Sequence, residues 1–364
     1  MWLVALLVGL LTWYATMAQN HLRVSEIGGF PQSEAGYAMG VSACFAGTIG
    51  NHIIMAGGCN FPDNSGVKHY YKGIYAACWQ ADTLQWRCIG TLPEPVAYGA
   101  TVDMGDSLLL IGGNNQEHSL RQVVSVKLDP RGNAIVMRLP SLPVTVDNGA
   151  AAYAKGHVFV FGGNQNGKPS KALWSLSCSR PTSQWKSRKA MPGKPRVQPV
   201  CVAHGQRLFA WGGFYAKGAK SKVATDGCAY DVKRNRWAQL AAPRDAAGES
   251  LTLSGATGAT NGAGLLLCLG GVNKTIFADA ISGKYQLVDQ ADYLKQPVAW
   301  YRFNATPLVF NAKTLRWLKP TTPDARLARA GALLIGIAAN QFLYIGGELK
   351  PGVRTPQILR IELE

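Results

Sequence analysis

The chain is poor in acid. Its 364 residues hold 21 Asp and Glu against 37 Lys and Arg, a formal charge of +16. Its six histidines, at 21, 52, 69, 118, 157 and 204, are scattered without paired-ligand spacing. None of its eight cysteines stands in a Cys-x-x-Cys pair, which argues against a zinc site. No glycine loop is followed by a helix pattern, so nothing resembles a phosphate cradle. Only the N-terminus approaches the run of about 20 apolar residues that a membrane span needs. The sequence implies no metal and no cofactor. A content of 47% hydrophobic and 9% aromatic residues excludes a mainly disordered or fibrous chain.

The apolar N-terminal run, Trp2 to Tyr14, leads into Ala15-Thr16-Met17-Ala18 before Gln19, the small residues a signal peptidase requires. Residues 1–18 are therefore expected to be a cleaved signal peptide. The protein would be exported to the periplasm and keep no stable membrane anchor. The missing Lys or Arg before the apolar run leaves an uncleaved anchor as the alternative reading.

What the chain does have is 41 Gly, 19 Pro and 10 Trp, the composition of many turns closing many short strands. One pattern recurs six times, an apolar run ending in Gly-Gly. It spans His52–Gly58, Leu108–Gly113, Val158–Gly163, Leu208–Gly213, Leu265–Gly271 and Phe342–Gly347, with the first glycines 55, 50, 50, 58 and 76 residues apart. Such runs read as strands buried on both faces. Most copies continue into a strand, a turn and a tryptophan: Trp86, Trp185, Trp237 and Trp317. The second copy, near Leu128-Asp129-Pro130, lacks it.

These features resemble the kelch repeat, whose unit is a four-stranded propeller blade. Six copies imply an all-β, six-bladed kelch-type β-propeller over residues 19–364. The last copy lacks its outermost strand, while Arg23 to Pro31 looks like a strand without a blade. The N-terminal strand is thus expected to complete the C-terminal blade and close the ring. The long gap at about 273–306, rich in aromatics, reads as an insertion forming a structured lid.

Blade topology places two sets of residues at one mouth of the channel. Those after each Gly-Gly are Asn60, Asn114, Asn164, Phe214, Asn273 and Glu348. Those before each innermost strand include Tyr37, Tyr98, Asn148, Arg196, Glu249, Arg326 and Arg329. Converging polar groups at a mouth favour a ligand site, although turn chemistry alone also accounts for the asparagines. Glu348 is the only carboxylate directly after a Gly-Gly, with Arg354 close by, which spacing alone reads equally as a base or an ion pair.

The segment Gly347 to Thr355 (Gly-Glu-Leu-Lys-Pro-Gly-Val-Arg-Thr) is similar to one in bacterial N-acetylneuraminate epimerases, the sialic acid mutarotases, which are periplasmic six-bladed kelch propellers. Phe45-Ala46-Gly47 leading to Ala56–Phe61, Ala97-Tyr98-Gly99 and Gly270–Phe277 carry the same resemblance, which spans nearly all of residues 23–364. The blade order is rotated, as in a cyclically permuted branch. The resemblance implies a mutarotase for sialic acid or a related acidic sugar, with Glu348 as catalytic base and Arg354 clamping the sugar carboxylate. Asn60, Tyr98, Asn114, Asn164 and Asn273 are then candidate substrate contacts. The general acid for the ring oxygen stays open between a water, a tyrosine and an Asn-bound water. Val96 departs from the family, which has an arginine before Ala-Tyr-Gly.

From Arg180 to Arg236 there are 13 Lys and Arg against Asp226 and Asp231. This suits a solvated surface, a field that steers anionic sugars, or a nucleic-acid face; export argues against nucleic acid. Cys78 and Cys88 flank a hairpin where an oxidising compartment would permit a disulfide. Copper radical oxidases of the galactose oxidase kind share the kelch fold, but two His and two Tyr converging on copper do not assemble here. The rival readings are a non-catalytic sugar-binding propeller and a protein-interaction propeller. A homodimer is left open.

Overall fold

The apolar runs form the second strand of each blade, and they are buried end to end because each lies between two neighbouring blades. Ile53–Ala56, Leu108–Ile111, Val158–Phe161, Leu266–Leu269 and Phe342–Ile345 are all buried. A computed structural model describes residues 22–62, 66–80, 83–180 and 182–364. The expected signal peptide lies outside the described residues.

Five antiparallel sheets follow in chain order. Their innermost strands are Phe45–Ile49, Ala100–Asp103, Ala150–Ala154, Val197–His204 and Thr257–Thr260. A sixth sheet runs from Leu333–Ala338 through Gln341–Ile345 and Ile358–Leu363 to the N-terminal strand Leu22–Ile27. That last pairing is antiparallel, from Leu22 opposite Leu363 to Ile27 opposite Ile358. The expected closure of the last blade by the first strand is therefore present. Each innermost strand packs against the next, and Leu333–Ala338 packs back against Phe45–Ile49, so the ring is closed.

A circle of six backbone hydrogen bonds runs around the channel. Ala43 N–H donates to Gly331 O (2.9 Å), Gly331 to Gly255 (2.8 Å) and Gly255 to Gln198 (3.1 Å). Gln198 donates to Asn148 (2.8 Å), Asn148 to Tyr98 (2.7 Å), and Tyr98 back to Ala43 (2.9 Å). All six residues have positive φ, from 53° to 70°. Four of them are not glycine, and L-residues enter this region only at a cost. The circle repays that cost by giving every blade the same inward turn.

The recurrent tryptophans tie successive blades. Nε1 of Trp185 donates to Pro140 O (2.8 Å), that of Trp237 to Lys189 O (2.7 Å) and that of Trp317 to Ala241 O (2.9 Å). Each bond reaches the segment that closes the preceding blade. Cys78 and Cys88 are out of register, since Cys78 lies opposite His52 and Cys88 opposite Tyr75. All eight cysteines are free thiols.

The insertion is ordered. It carries a helix, Lys274–Ile281, a shorter one, Gln290–Tyr293, and a 3-10 turn, Val298–Tyr301. Tyr293 stacks edge-on with Tyr285, Trp300 and Tyr301 at centroid distances of 5.8, 5.9 and 5.4 Å. Lys350 Nζ donates to Leu294 O (3.2 Å) and Gln296 O (2.7 Å), which fastens the insertion to the hairpin that bears Glu348.

Candidate active site

The residue directly after each Gly-Gly meets the residue just before a circle member. Glu348 exchanges both backbone hydrogen bonds with Ala330 (2.9 and 2.7 Å), next to Gly331. Asn114 pairs with Ala97 beside Tyr98, Asn164 with Asp147 beside Asn148, and Cys59 with Ser42 beside Ala43. Phe214 pairs with Val197 and Val272 with Ser254 in the same manner. The rim is therefore Cys59, Asn114, Asn164, Phe214, Val272 and Glu348.

This corrects two expectations. Asn60 and Asn273 lie one residue beyond the rim position, and one step along extended backbone turns a side chain to the opposite side. Asn60 is buried, donating to Gly36 O (2.8 Å) and Gly40 O (2.9 Å) and accepting from Tyr71 (2.8 Å). Asn273 caps the helix Lys274–Ile281, accepting from the N–H groups of Thr275 and Ile276. Both asparagines hold loops in place.

Glu348 and Arg354 face each other across the hairpin formed by Glu348–Lys350 and Val353–Arg354. Arg354 Nη1 stands 3.1 Å from Glu348 Oε1, which also accepts from Gly352 N–H (3.1 Å). Burial pushes the Glu348 carboxyl above the ordinary carboxylate range, while Arg354, the Gly352 N–H and Lys68 pull it down. The Glu348 side chain retains 23% of its exposure. The Arg354 side chain retains 4%, and beyond the Nη1 contact to Glu348 its Nε makes no hydrogen bond among the described residues. A buried guanidinium with donors left over is costly unless an anion completes it.

Arg354 also lies 5.2 Å over the Phe61 ring. Lys68 Nζ sits 5.9 Å from the same ring, 5.9 Å from that of Tyr70 and 4.9 Å from that of Tyr98. It donates to the Tyr98 hydroxyl at 3.1 Å. The mouth between the sixth and second blades is thus a strip running from Glu348 through Arg354, Phe61 and Lys68 to Tyr98. Sequence reasoning missed Lys68 because it sits in a loop at no fixed distance from any glycine pair.

The opposite sector is built on Asp147. Its Oδ1 accepts from the amides of Asn148 and Asn164, each at 2.8 Å, and its Oδ2 from Ser119 (2.6 Å). Asn148 in turn accepts from Gln198 (2.8 Å). The carboxamide oxygen of Asn114 is buried without a partner among the described residues. Asp147 was absent from the expected set, although it is the only carboxylate among Ser42, Ala97, Asp147, Val197, Ser254 and Ala330, the residues that precede the circle.

The channel holds a cavity of about 240 Å³, lined by Tyr98, Asn148 and Gln198, the aliphatic Leu333 and Ile335, and smaller side chains. Glu348 and Arg354 stand outside it, on the rim. Of the remaining expected mouth residues, Tyr37 is buried and donates to Gly57 O (2.9 Å). Arg196 and Arg329 are buried pegs. Arg196 donates to Gly212 O (2.9 Å), and Arg329 to Gly346 O (3.0 Å) and Gln357 O (2.9 Å). Glu249 and Arg326 pair with Lys274 and Asp324. Val96 occupies, in its own blade, the place of Arg196 and Arg329, two residues before the circle. In the two blades that carry an arginine there, its side chain turns into the blades.

The fold and site together define a six-bladed β-propeller with a desolvated carboxylate and an unsaturated guanidinium paired at one mouth of its channel. The N-acetylneuraminate epimerase family profile matches residues 8–136 and 139–364, and the chain belongs to that family. Among its relatives, the N-acetylneuraminate epimerase of Yersinia enterocolitica serotype O:8 is 30% identical over 234 residues, 61% of this chain and 56% of that protein. Those of Salmonella paratyphi B and Haemophilus influenzae are each 29% identical, over 65% and 60% of this chain. The aligned part spans 56 to 61% of the length of these relatives.

Proposed function

We propose that the protein interconverts the α and β anomers of N-acetylneuraminic acid or a closely related acidic sugar, with Glu348 as base and Arg354 holding the sugar carboxylate. One observation carries this reading: the Arg354 side chain is almost wholly buried, at 4% exposure, with Nη1 on Glu348 and Nε unpartnered among the described residues. A planar carboxylate is the ligand that satisfies such a guanidinium. Glu348 lies beside it, so a sugar anchored through its carboxylate presents the adjoining anomeric hydroxyl to that base.

The chemistry is a proton relay. Glu348 takes the anomeric hydroxyl proton as the bond from the anomeric carbon to the ring oxygen breaks and a general acid protonates that oxygen, to recover its proton when the ring recloses. The carbonyl so formed rotates, and the chain hydroxyl closes on its other face. Glu348 then returns the proton to the new anomeric hydroxyl. A positioned base of this kind contributes about 10²–10⁴-fold. Burial raises its pKa and so strengthens it as a base, while Arg354 and Lys68 favour its ionised form.

Two further parts of the reading are inferences of the same rank. The blade order is read as cyclically permuted from the sequence resemblance; the family match falls into two segments that meet inside the outermost strand of the second blade, Ala134–Leu139. The apolar run Trp2 to Tyr14 and the small residues after it support export to the periplasm.

The test is proton NMR of freshly released α-N-acetylneuraminic acid, timing its conversion to the β anomer with and without protein. Acceleration abolished in Glu348→Gln supports both the reaction and the base. Exchange no faster than in buffer, with the sugar bound, would replace the reading by a sugar-binding propeller.

A further inference from the structure

The base is only half of an anomerisation. When the ring opens, the ring oxygen leaves with an electron pair and must gain a proton. We propose that Tyr98 is the general acid that delivers it and Lys68 the cation that stabilises the phenolate left behind; this rests on the anomerase reading above.

Tyr98 is a member of the backbone circle, held at φ 60°, so its side chain springs from the most constrained part of the mouth. It lines the channel cavity and is only partly buried. Its oxygen accepts from Lys68 Nζ at 3.1 Å. The Cys59 thiol is close enough to raise its pKa, and its hydroxyl donates to no oxygen or nitrogen among the described residues. Phe61 lies under both Arg354 and Lys68, so the strip fixes Tyr98 and the guanidinium on one wall. A sugar carboxylate on Arg354 sets the anomeric carbon between the base and the phenol.

The balance closes without a co-reactant. Glu348 gains the anomeric proton and becomes neutral. The bond from the anomeric carbon to the ring oxygen breaks, its electron pair goes to the ring oxygen, and the Tyr98 proton follows. The phenolate remains against the Lys68 ammonium. On reclosure the chain hydroxyl gives its proton back to Tyr98, and Glu348 gives its own to the new anomeric oxygen. Burial and the thiol hold the phenol well above its ordinary pKa, so it is protonated at neutral pH.

The experiment is the same NMR assay on the parent protein, on Tyr98→Phe, and on protein carrying mono- or difluorinated tyrosine at position 98. Fluorination changes the acidity of the phenol with little change in its shape. Tyr98→Phe is expected to lower kcat by about 10²-fold or more, with KM within roughly threefold, and kcat is expected to follow phenol acidity along the fluorotyrosine series. A Tyr98→Phe kcat within about threefold of the parent, well short of what a general acid supplies, overturns the assignment. So does a flat fluorotyrosine series, which decides the matter even if the phenylalanine variant fails to fold. A parent protein without acceleration overturns the anomerase reading and the acid with it; an active parent with an unresponsive Tyr98 overturns the acid alone.

Discussion

Arg354 Nη1 lies 3.1 Å from Glu348 Oε1, yet its Nε, buried beside it, makes no hydrogen bond among the described residues. The pair is an ion pair with donors unspent. A purely structural pair, enclosed to this degree, would be expected to use them, because a desolvated N–H without an acceptor costs about 1–3 kcal/mol.

The pair therefore predicts distinct kinetic losses. Glu348→Gln should reduce kcat for anomerisation by about 10²-fold or more and leave KM nearly unchanged. Arg354→Ala should chiefly raise KM for the carboxylated sugar. Steady-state kinetics by NMR on the two variants checks the split, and a variant of Glu348 that retains parental kcat would remove it as the base.

The acid limb of kcat should lie above the ordinary carboxylate range. Glu348 must be ionised to accept a proton, and burial raises its pKa, so activity falls as pH falls through that raised value. Arg354 and Lys68 oppose the rise, while the neighbouring Tyr98, Tyr293 and Tyr301 remain neutral phenols at such pH. Lys68→Met should therefore move the limb to higher pH. A pH–rate profile of the parent and of this variant tests the sign; movement to lower pH would contradict it.

Closure of the ring predicts a stability effect far from the site. Deleting Leu22–Ile27 strips the outer edge of the last blade and exposes Ile358–Leu363. Ile27 alone, 5% exposed, accounts for about 2 kcal/mol of burial, and the lost ladder adds to it. Thermal denaturation followed by circular dichroism should show a lowered transition, and an unchanged one would mean that the closing strand is dispensable.

The circle of positive-φ residues predicts a cost from backbone alone. At Gly331, φ is +60° and the nearest atom to an added Cβ is 3.6 Å away, so alanine meets no clash. Gly331→Ala should still destabilise by about 1–2 kcal/mol, the price of the left-handed region. Urea denaturation measures it. The neighbouring Gly347, where a Cβ would come within 2.6 Å of Ala332, should suffer more from the same substitution.

Much of the site was legible because a propeller repeats. Glu348 directly follows a glycine pair, and the Gly-Gly period carried that reading to the rim. Asn60 and Asn273 were misplaced for a physical reason. In their blades the residue after Gly-Gly is Cys59 or Val272, and the conspicuous asparagine stands one step on, where extended backbone turns its side chain away. Lys68 and Asp147 were hidden for opposite reasons. Lys68 lies in an irregular loop, and Asp147 is read as a site residue only once its amide partners are known.

The sequence by itself determined the architecture. Six buried runs ending in Gly-Gly demand neighbours on both faces, and an N-terminal strand without a blade, facing a last blade short of one strand, demands closure. It also set the Glu–Arg pair, because both residues lie in one short hairpin. The tertiary structure alone decided what surrounds that pair. Phe61, Lys68 and Tyr98 come from the first and second blades and meet Glu348 only because the ring brings the last blade back beside the first. Contacts made by closing a circle join the two ends of a chain, and no local pattern encodes which residues will face each other there.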